Sequence, residues 1–371
     1  MKRRRPSHVV VLGAGPVGLM AALEISKSHH TTLITRKLPN ADDTPRVEAV
    51  PAPLLALLAE FGIHPRQIGI EGFHELRRIA WEQEAMVESL GPAAAHVDRP
   101  ILDLALLNAV TACGRVNIVV NRDRQCLNAV LEAARRNDVW LIDATGRASV
   151  SAGRRIGPAR PWVARTFVAP RRSCPECPEL RIAALPGGFV YRLGSSRHVI
   201  LGIAGRSKAI TGDPLRLERQ LFECGAGWIL EGLPGMAELI PGSCSVASVQ
   251  WTGEGVGCRV GDAALARDTL SSQGLAAGIS DALHCAASVR SQGDAALLSV
   301  RQAEQRTAHL RSLEHVIASC RFKEERIWSE YAGFVSEHVD PETVESKIAL
   351  KTGRLMKHDV FPSSQANRPV P

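Results

Sequence analysis

The glycine-rich turn near the N-terminus constrains the fold more than any other feature of the chain. A β-branched run at residues 8–12 is followed at once by Gly13-Ala-Gly15-Pro-Val-Gly18, and residues 19–26 have the apolar spacing of a helix. In a strand, turn and helix of this kind, the glycines permit a tight turn, a close approach of the backbone to a pyrophosphate, and close packing of helix on strand. The helix N-terminus supplies amide hydrogens to the anion. Because residues 31–35 are typical of a second strand, the pattern predicts a dinucleotide-binding fold. The candidate cofactor-binding residues of this turn are Gly13, Ala14, Gly15, Pro16, Val17 and Gly18.

The end of the second predicted strand departs from the usual pattern. Dinucleotide-binding folds often carry an acidic residue there that bonds the ribose, whereas this chain has Thr35-Arg36. We therefore expect Arg36 to contact the adenosine phosphate or ribose.

Length and charge bound the remaining possibilities. At roughly 150 residues per domain, 371 residues predict two to three lobes. A hydrophobic fraction of 45% with 22% charged residues is typical of a folded enzyme and argues against disorder. The net charge of +7 fits an acidic protein partner, an anionic cofactor or nucleic acid equally well, but the sequence has no nucleic-acid motif.

The cysteines and the N-terminus indicate a cytoplasmic protein. The nine cysteines are odd in number and scattered, which is typical of reduced thiols. Cys174 and Cys177 form the single close pair; without a second ligand pair nearby they predict a loop with two free thiols rather than a zinc site. The glycines and Pro16 interrupt the apolar run behind the basic N-terminus, so we do not interpret it as an export signal. No uncharged stretch reaches the ~18 to 20 residues of a membrane span.

Two later strand-to-turn junctions complete a recognisable signature. They are Leu141-Ile-Asp143-Ala-Thr-Gly146-Arg147 and Val260-Gly261-Asp262-Ala263. Together with the first turn, they resemble the three-part signature of FAD-dependent monooxygenases and halogenases. The resemblance implies an α/β, Rossmann-like FAD-binding fold, with Asp262 against the ribityl chain and pyrophosphate. It also implies that residues 267–275 form a flavin-ring loop whose helix amides face the isoalloxazine, with contacts from Thr269, Ser272, Gly274 and Leu275.

Two further segments are similar to the tryptophan-halogenase-like branch of this superfamily. Arg46-Val-Glu-Ala-Val-Pro51 with the helix after it resembles the flavin-facing strap, and His96-Val-Asp-Arg99 resembles the paired arginine and helix start. The match is closest to maturases that modify tryptophan for quinone cofactors, including the lysine and glycine oxidase maturases and the monooxygenase serving quinohemoprotein amine dehydrogenase. It implies flavin contacts from Arg46, Val47 and Arg99, the last on the phosphate side. The alternative for Arg99 is an arginine at an exposed helix cap.

Departures from the halogenase pattern favour hydroxylation. Halogenases need a lysine in the segment corresponding to residues 72–81, which contains none. Their GWxWxIP signature is degenerate here, as Gly188-Phe-Val-Tyr-Arg-Leu-Gly194. We take His74, Trp81 and Tyr191 as candidate substrate-side residues, with buried packing as the alternative for each.

These segments predict the organisation of the chain. Residues 1–75, 97–150 and 256–290 are expected to form the FAD-binding domain. Residues 76–96 and 151–255 would form an inserted antiparallel β-sheet, 291–357 a C-terminal helical region and 358–371 a tail.

The resemblance also implies a reaction. An FAD C4a-hydroperoxide, formed with O2, would hydroxylate a tryptophan in a small, acidic partner protein during biogenesis of a quinone cofactor. The reductant would be NAD(P)H or reduced flavin from a separate reductase. The alternatives are a small-molecule aromatic hydroxylase, a halogenase, and a non-catalytic flavin-binding assembly factor.

Overall fold

The glycine turn connects the first strand of a parallel sheet to the first helix. The computed structural model describes residues 6–70, 72–173, 180–208, 210, 212–253, 255–291 and 295–339. Cys174, Cys177 and the predicted tail at 358–371 lie outside the described residues. The strands are β1 (His8–Leu12), β2 (His30–Thr35), β3 (Val47–Pro51), β4 (His74–Ala80), β5 (Val87–Asp98), β6 (Val116–Val120), β7 (Trp140–Asp143), β8 (Arg155–Ile156), β9 (Trp162–Pro170), β10 (Leu180–Leu185), β11 (Gly188–Gly194), β12 (His198–Arg206), β13 (Ile240–Val246), β14 (Gln250–Thr252), β15 (Cys258–Arg259) and β16 (Leu265–Ala266). The helices are α1 (Pro16–Ile25), α2 (Ala52–Glu60), α3 (Arg99–Ala112), α4 (Arg124–Arg135), α5 (Pro214–Glu223), α6 (Gly274–Arg290), α7 (Ala295–Ala318) and α8 (Arg326–Val339).

The parallel sheet has the strand order β15-β7-β1-β2-β6. Val9 and Val11 of β1 point into a core formed with α1, α3 and α6, whereas Val10 and Leu12 pack on the opposite face with Leu131 of α4. Because helices cover both faces, β1 is apolar along its whole length instead of alternating. The Rossmann-like fold predicted from the glycine turn is confirmed.

A second sheet has the order β13-β9-β12-β11-β10-β4-β5-β3. Its described strand pairs are antiparallel except β4 with β10, which are parallel. The sheet curls, because Val47 on the edge strand β3 packs against Val168, Leu193 and Ile200 of β9, β11 and β12. This is the predicted inserted sheet, although it also includes β3, from the segment assigned to the FAD-binding residues. The domain boundaries themselves remain predictions.

The two faces of the curled sheet are covered differently. One face packs on α5 and the short turns that follow it, around Leu217, Leu221 and Ile229. The other face carries a group of rings that we call the aromatic cluster, covered by α7 and α8. It consists of Trp81, Trp162, Phe189, Trp328 and Tyr331. The C-terminal helices thus complete the core of the sheet.

A third, small sheet has the strand order β16-β14-β8. The described part of the predicted C-terminal helical region at 291–357 contains α7 and α8. Among the described residues, no helix has the length and apolar character needed to cross a bilayer.

Candidate functional site

The first part of the site is the turn between β1 and α1. Gly13 has φ +99°, and a Cβ on it would lie 2.6 Å from the carbonyl oxygen of Ala144. A Cβ on Gly18 would lie 1.9 Å from the carbonyl oxygen of Gly13, so close packing requires glycine at both positions. A Cβ on Gly15, by contrast, would meet no atom within 4 Å. Gly15 is also the N-cap of α1 and provides no side-chain cap for its amides. The turn therefore leaves open the approach to the helix amides that a pyrophosphate requires, so the chain fits the phosphate part of FAD.

Val17 connects this turn to a junction much later in the chain. Gly261 has φ +58°, and a Cβ on it would lie 3.0 Å from Val17 Cγ2. A Cβ on Gly278 of α6 would lie 2.7 Å from the same atom. At the start of α6, a Cβ on Gly274 would lie 3.9 Å from Asp262 Oδ1. The structure thus brings Val17, Asp262 and Gly274 together, while Ala14 and Pro16 are buried beside them. Their contacts with FAD remain predictions.

Asp262 lies beside an arginine that organises the surrounding loops. Arg147 Nε is 3.6 Å from Asp262 Oδ2. The same guanidinium donates to the carbonyl oxygens of Ser248, at 3.0 Å, and Arg267, at 2.8 Å. Desolvation raises the pKa of Asp262, and the charge of Arg147 opposes this shift. Arg147 therefore holds three loops together around the Asp262 carboxylate.

The predicted strap and paired arginine form an ion network. Arg99 donates through Nη1 to Glu48 Oε1 at 2.5 Å and through Nε to Asp103 Oδ1 at 2.7 Å. The Arg99 main-chain N–H donates to the carbonyl oxygen of Arg46 at 2.8 Å, while Val47 points into the curl of the sheet. Desolvation would lower the pKa of Arg99, but the two carboxylates raise it above its usual value. Because Arg99 is mostly buried and paired, it is not an exposed helix cap; its contact with the flavin phosphates remains a prediction.

Arg36 lies at the carboxyl end of β2, where dinucleotide-binding folds place the adenosine ribose. Its side chain is exposed, and its carbonyl oxygen accepts from Arg122 Nε at 3.1 Å. Two arginines therefore adjoin this end of the strand, and the proposed contact of Arg36 with the adenosine part remains a prediction.

The predicted flavin-ring loop lies between β16 and α6. The N–H of Thr269 donates to the carbonyl oxygen of Ala247 at 3.1 Å. Ser272 has φ +47°, in the left-handed region that a side chain disfavours. Gln273 is the N-cap of α6 without a side-chain cap, and Leu275 is buried in the core below. The N-cap residue of α6 therefore leaves the first amides of the helix without a side-chain acceptor, so that they are available to donate to an acceptor on a flavin ring.

The structure separates His74 and Trp81, which are two of the predicted substrate-side residues. His74 is half-buried at the start of β4, with its ring 5.0 Å from that of His96. Trp81, just after β4, is 8% exposed and donates through Nε1 to the carbonyl oxygen of Val316 at 2.8 Å. Its ring meets that of Trp328 edge-on at 5.5 Å, so Trp81 is part of the aromatic cluster.

Tyr191 lies near the middle of β11, which is separated from β4 by β10. Its ring crosses Gly202 of β12, where a Cβ would lie 2.1 Å from Tyr191 Cζ. It packs towards the aromatic cluster through Phe189, at 6.1 Å, and also towards the curl around Val47. Burial, with a smaller contribution from Glu48, raises the pKa of Tyr191 to about 12. Tyr191 is therefore the candidate that links the sheet to the strap.

Glu48 and Arg147 were not among the site residues predicted from the sequence, although both belong to motifs on which those predictions rest. Glu48 is the acidic residue of the strap and contacts Arg99, and Arg147 ends the second junction. Within the described residues, no group of three or more His, Cys, Asp or Glu side chains is arranged to hold a metal ion.

With this geometry, the chain has the fold of the flavin-dependent monooxygenases and halogenases. The particular structures it resembles include QhpG, a peptidyl tryptophan dihydroxylase essential for tryptophylquinone cofactor biogenesis. That match has 19% identity and a TM-score of 0.67, over 88% of this chain and 79% of QhpG. The predicted resemblance to this superfamily is confirmed at the level of the fold.

Two further similar structures represent other chemistries on the same fold. The myxobacterial chondrochloren halogenase CndH matches with 16% identity and a TM-score of 0.66, over 93% of this chain and 89% of CndH. The p-nitrophenol 4-monooxygenase PnpA of Pseudomonas putida DLL-E4 matches with 15% identity and a TM-score of 0.61, over 94% of this chain and 98% of PnpA. No protein-family model and no curated protein matches the sequence.

Proposed function

We propose that this protein is an FAD-dependent monooxygenase that hydroxylates a tryptophan side chain in a partner protein during biogenesis of a tryptophan-derived quinone cofactor. The observation that carries the proposal is the free space beside Gly15, where a Cβ would meet no atom within 4 Å. Val17 packs against Gly261 and Gly278, which brings Asp262 and α6 next to this space. Further support comes from the fold shared with QhpG. Bound and reduced FAD would supply the activation of O2, with NAD(P)H or a flavin reductase as the source of electrons.

The residues of the chain would bind FAD, orient the substrate and exclude water from the site. The amides of α1 and the Gly15 face would hold the pyrophosphate, and the uncapped start of α6 would face the flavin ring. An indole is already a good nucleophile, so the site needs an apolar wall and a fixed orientation more than a strong base. Tyr191, half-buried on β11 towards the curl of the sheet, offers part of such a wall.

A halogenase is disfavoured by the side chains of β4. The segment 72–81 contains no lysine, and its arginines are engaged elsewhere. Arg78 pairs with Glu88 at 2.9 Å, and Arg77 donates to the carbonyl oxygen of Pro92 at 3.4 Å. A guanidinium also keeps its charge, so it does not replace the amine of a lysine.

A small-molecule aromatic hydroxylase is the second candidate. The full-length similarity to PnpA favours it, because this chain covers 98% of that enzyme. Such an enzyme would oxidise a free phenol or indole and would consume NAD(P)H faster when that substrate is added, without any partner protein.

The proposal also includes the partner and the compartment. The net charge of +7 would complement a small acidic protein. The scattered cysteines favour the cytoplasm, where thiols stay reduced.

The test is intact-mass analysis of candidate partner proteins encoded beside this one. Each is incubated with the protein, FAD, O2 and either NAD(P)H or a reductase system, in the presence of chloride. A gain of one or two oxygen atoms on a tryptophan is expected, whereas a gain of chlorine would indicate a halogenase. A partner that stays unmodified, alongside turnover of a free phenol or indole, would replace the proposal by the second candidate. Partner maturation that persists with a redox-inactive flavin would indicate an assembly factor.

A further inference from the structure

Asp268 lies near the start of the flavin-ring loop and is nearly inaccessible to solvent, with 2% of its surface exposed. Its Oδ1 accepts from the N–H of Leu270 at 2.8 Å, within the loop. Its carbonyl oxygen accepts from the hydroxyl of Ser271 at 2.9 Å. One residue therefore fixes the first turn of the loop through both its side chain and its backbone.

The second carboxylate oxygen of Asp268 binds a residue from the C-terminal end of the described chain. Tyr331 of α8 donates its hydroxyl hydrogen to Asp268 Oδ2 at 2.5 Å. The same hydroxyl accepts from the N–H of Val249 at 3.1 Å, and the Tyr331 ring lies 4.7 Å from that of Trp162 on β9. Tyr331 of α8 therefore reaches the flavin-ring loop through its hydroxyl and the curled sheet through its ring.

A third contact comes from α7. The Asp268 N–H donates to His309 Nε2 at 3.3 Å. Burial, together with the charge of Arg267, lowers the pKa of His309 to about 4, so the imidazole is neutral near pH 7 and can accept this bond. Asp268 is thus held by both C-terminal helices.

The loop needs such support because its far end is strained. Ser272 has φ +47°, a strained backbone conformation that persists only when the surroundings determine it. Thr269 is fixed to Ala247, so the contacts at Asp268 and Thr269 hold the start of the loop against this strain.

We propose that the Asp268–Tyr331 pair is a positioning device that sets the flavin-ring loop and couples it to the C-terminal helices. This inference rests on the proposed FAD site. Neither residue needs to touch the flavin: Asp268 acts through the amides of the loop, and Tyr331 acts through Asp268. The role of α7 and α8 then extends beyond covering the aromatic cluster.

The test measures FAD binding by the apoprotein in a double-mutant cycle of Tyr331→Phe and Asp268→Asn. Tyr331→Phe removes the donor of the bond between the two side chains, and Asp268→Asn weakens that bond by removing the carboxylate charge, so we expect the Kd for FAD to rise about tenfold in each. In the double variant the rise should be close to that of either single variant, because the shared bond can be lost only once. The visible circular dichroism of the bound flavin should change in the same three variants.

The matched control is Ser336→Ala on the same helix. Ser336 is exposed and donates to Glu314 on α7, away from the loop, so its Kd and flavin spectrum should equal those of the wild type. If Asp268→Asn does not fold, the Kd and flavin spectrum of Tyr331→Phe are compared with those of Ser336→Ala alone.

The outcomes are distinguishable. Wild-type Kd and flavin spectrum in Tyr331→Phe would overturn the inference while leaving the proposed function intact. Effects that multiply in the double variant would also overturn it, since the residues would then act separately. A wild-type protein that does not bind FAD would overturn the proposed function itself.

Discussion

Gly15 and Gly18 belong to the same turn but face different surroundings. The ideal Cβ of Gly15 meets no atom within 4 Å, whereas that of Gly18 collides with the carbonyl oxygen of Gly13 at 1.9 Å. Since Gly15 has φ −76°, alanine can adopt its backbone conformation without strain. Close packing of the turn therefore requires glycine at position 18 but not at position 15.

We predict that Gly15→Ala weakens FAD binding at least about tenfold while leaving the melting temperature of the apoprotein unchanged, because the new methyl group occupies space needed only by the pyrophosphate. Gly18→Ala is the matched comparison and should lower the melting temperature of the apoprotein itself. Flavin fluorescence titration and thermal unfolding measure the two effects. Unchanged FAD affinity in Gly15→Ala would contradict the placement of the pyrophosphate.

Asp268 and His309 form an adjacent buried pair whose pKa values move in opposite directions. Burial raises the pKa of Asp268 to about 6, opposed by Tyr331 and Arg147, and burial lowers that of His309 to about 4. Between about pH 4 and 6, folded Asp268 therefore binds more protons than the unfolded chain does, and its contribution to stability falls as pH rises. Folded His309 binds fewer protons, so its contribution rises over the same window.

We predict that these two contributions, each of about 3 kcal/mol at full effect, largely cancel in the wild type. Relative to the wild type, Asp268→Asn should gain unfolding free energy as pH rises from about 4 to 6, and His309→Gln should lose it. Urea unfolding at several pH values measures both differences. Parallel pH profiles for all three proteins would show that the groups titrate normally.

At the scale of elements, the strands β4 and β11 place the predicted substrate-side residues in different environments. Trp81 lies in the aromatic cluster beneath α8, whereas Tyr191 lies on the stretch of β11 that faces the curl of the sheet. Of the two, Tyr191 packs against the cluster that contains Val47 of the strap.

We predict that Trp81→Phe lowers the unfolding free energy by about 1–3 kcal/mol, because it loses the bond to Val316 and part of the packed volume. Product formation per folded molecule should be unchanged. Tyr191→Phe should instead lower kcat/KM with little effect on stability. Denaturant unfolding and partner modification assays on both variants make the comparison; the reverse assignment of effects would place Trp81 at the substrate.

The sequence predicted those elements whose signals are local. β1, the glycine turn and α1 follow from a continuous apolar run and three glycines with separate packing needs. The curl of the second sheet could not be predicted, since it depends on Val47 reaching strands far along the chain. The contact of Tyr331 with Asp268 likewise has no local pattern, because it joins a helix interior to a distant loop. The same applies to Trp81, whose environment depends on α7 and α8.

At the scale of the whole molecule, the net charge of +7 should affect encounter with an acidic partner. The Debye length is about 10 Å at 0.1 M salt and about 3 Å at 1 M, so salt weakens such steering. We predict that kcat/KM for the partner protein falls as salt is raised from about 0.05 to 0.5 M, with kcat nearly constant. Oxidation of a small neutral indole, if detectable, is the control and should not change. A kcat/KM for the partner that does not change with salt would contradict steering of the encounter by the net charge.

The contact of Val17 with Gly261 and Gly278 has a consequence for the order in which the chain folds. These glycines follow Val17 only after the whole curled sheet has been synthesised, so the contact closes a very long loop, and such contacts form slowly. Until α6 has emerged, the apolar face of α1 that it covers stays exposed, which favours aggregation of the incomplete chain. An N-terminal fragment that ends before α6 would carry all three glycines of the first turn but would lack the helix against which Val17 and α1 pack.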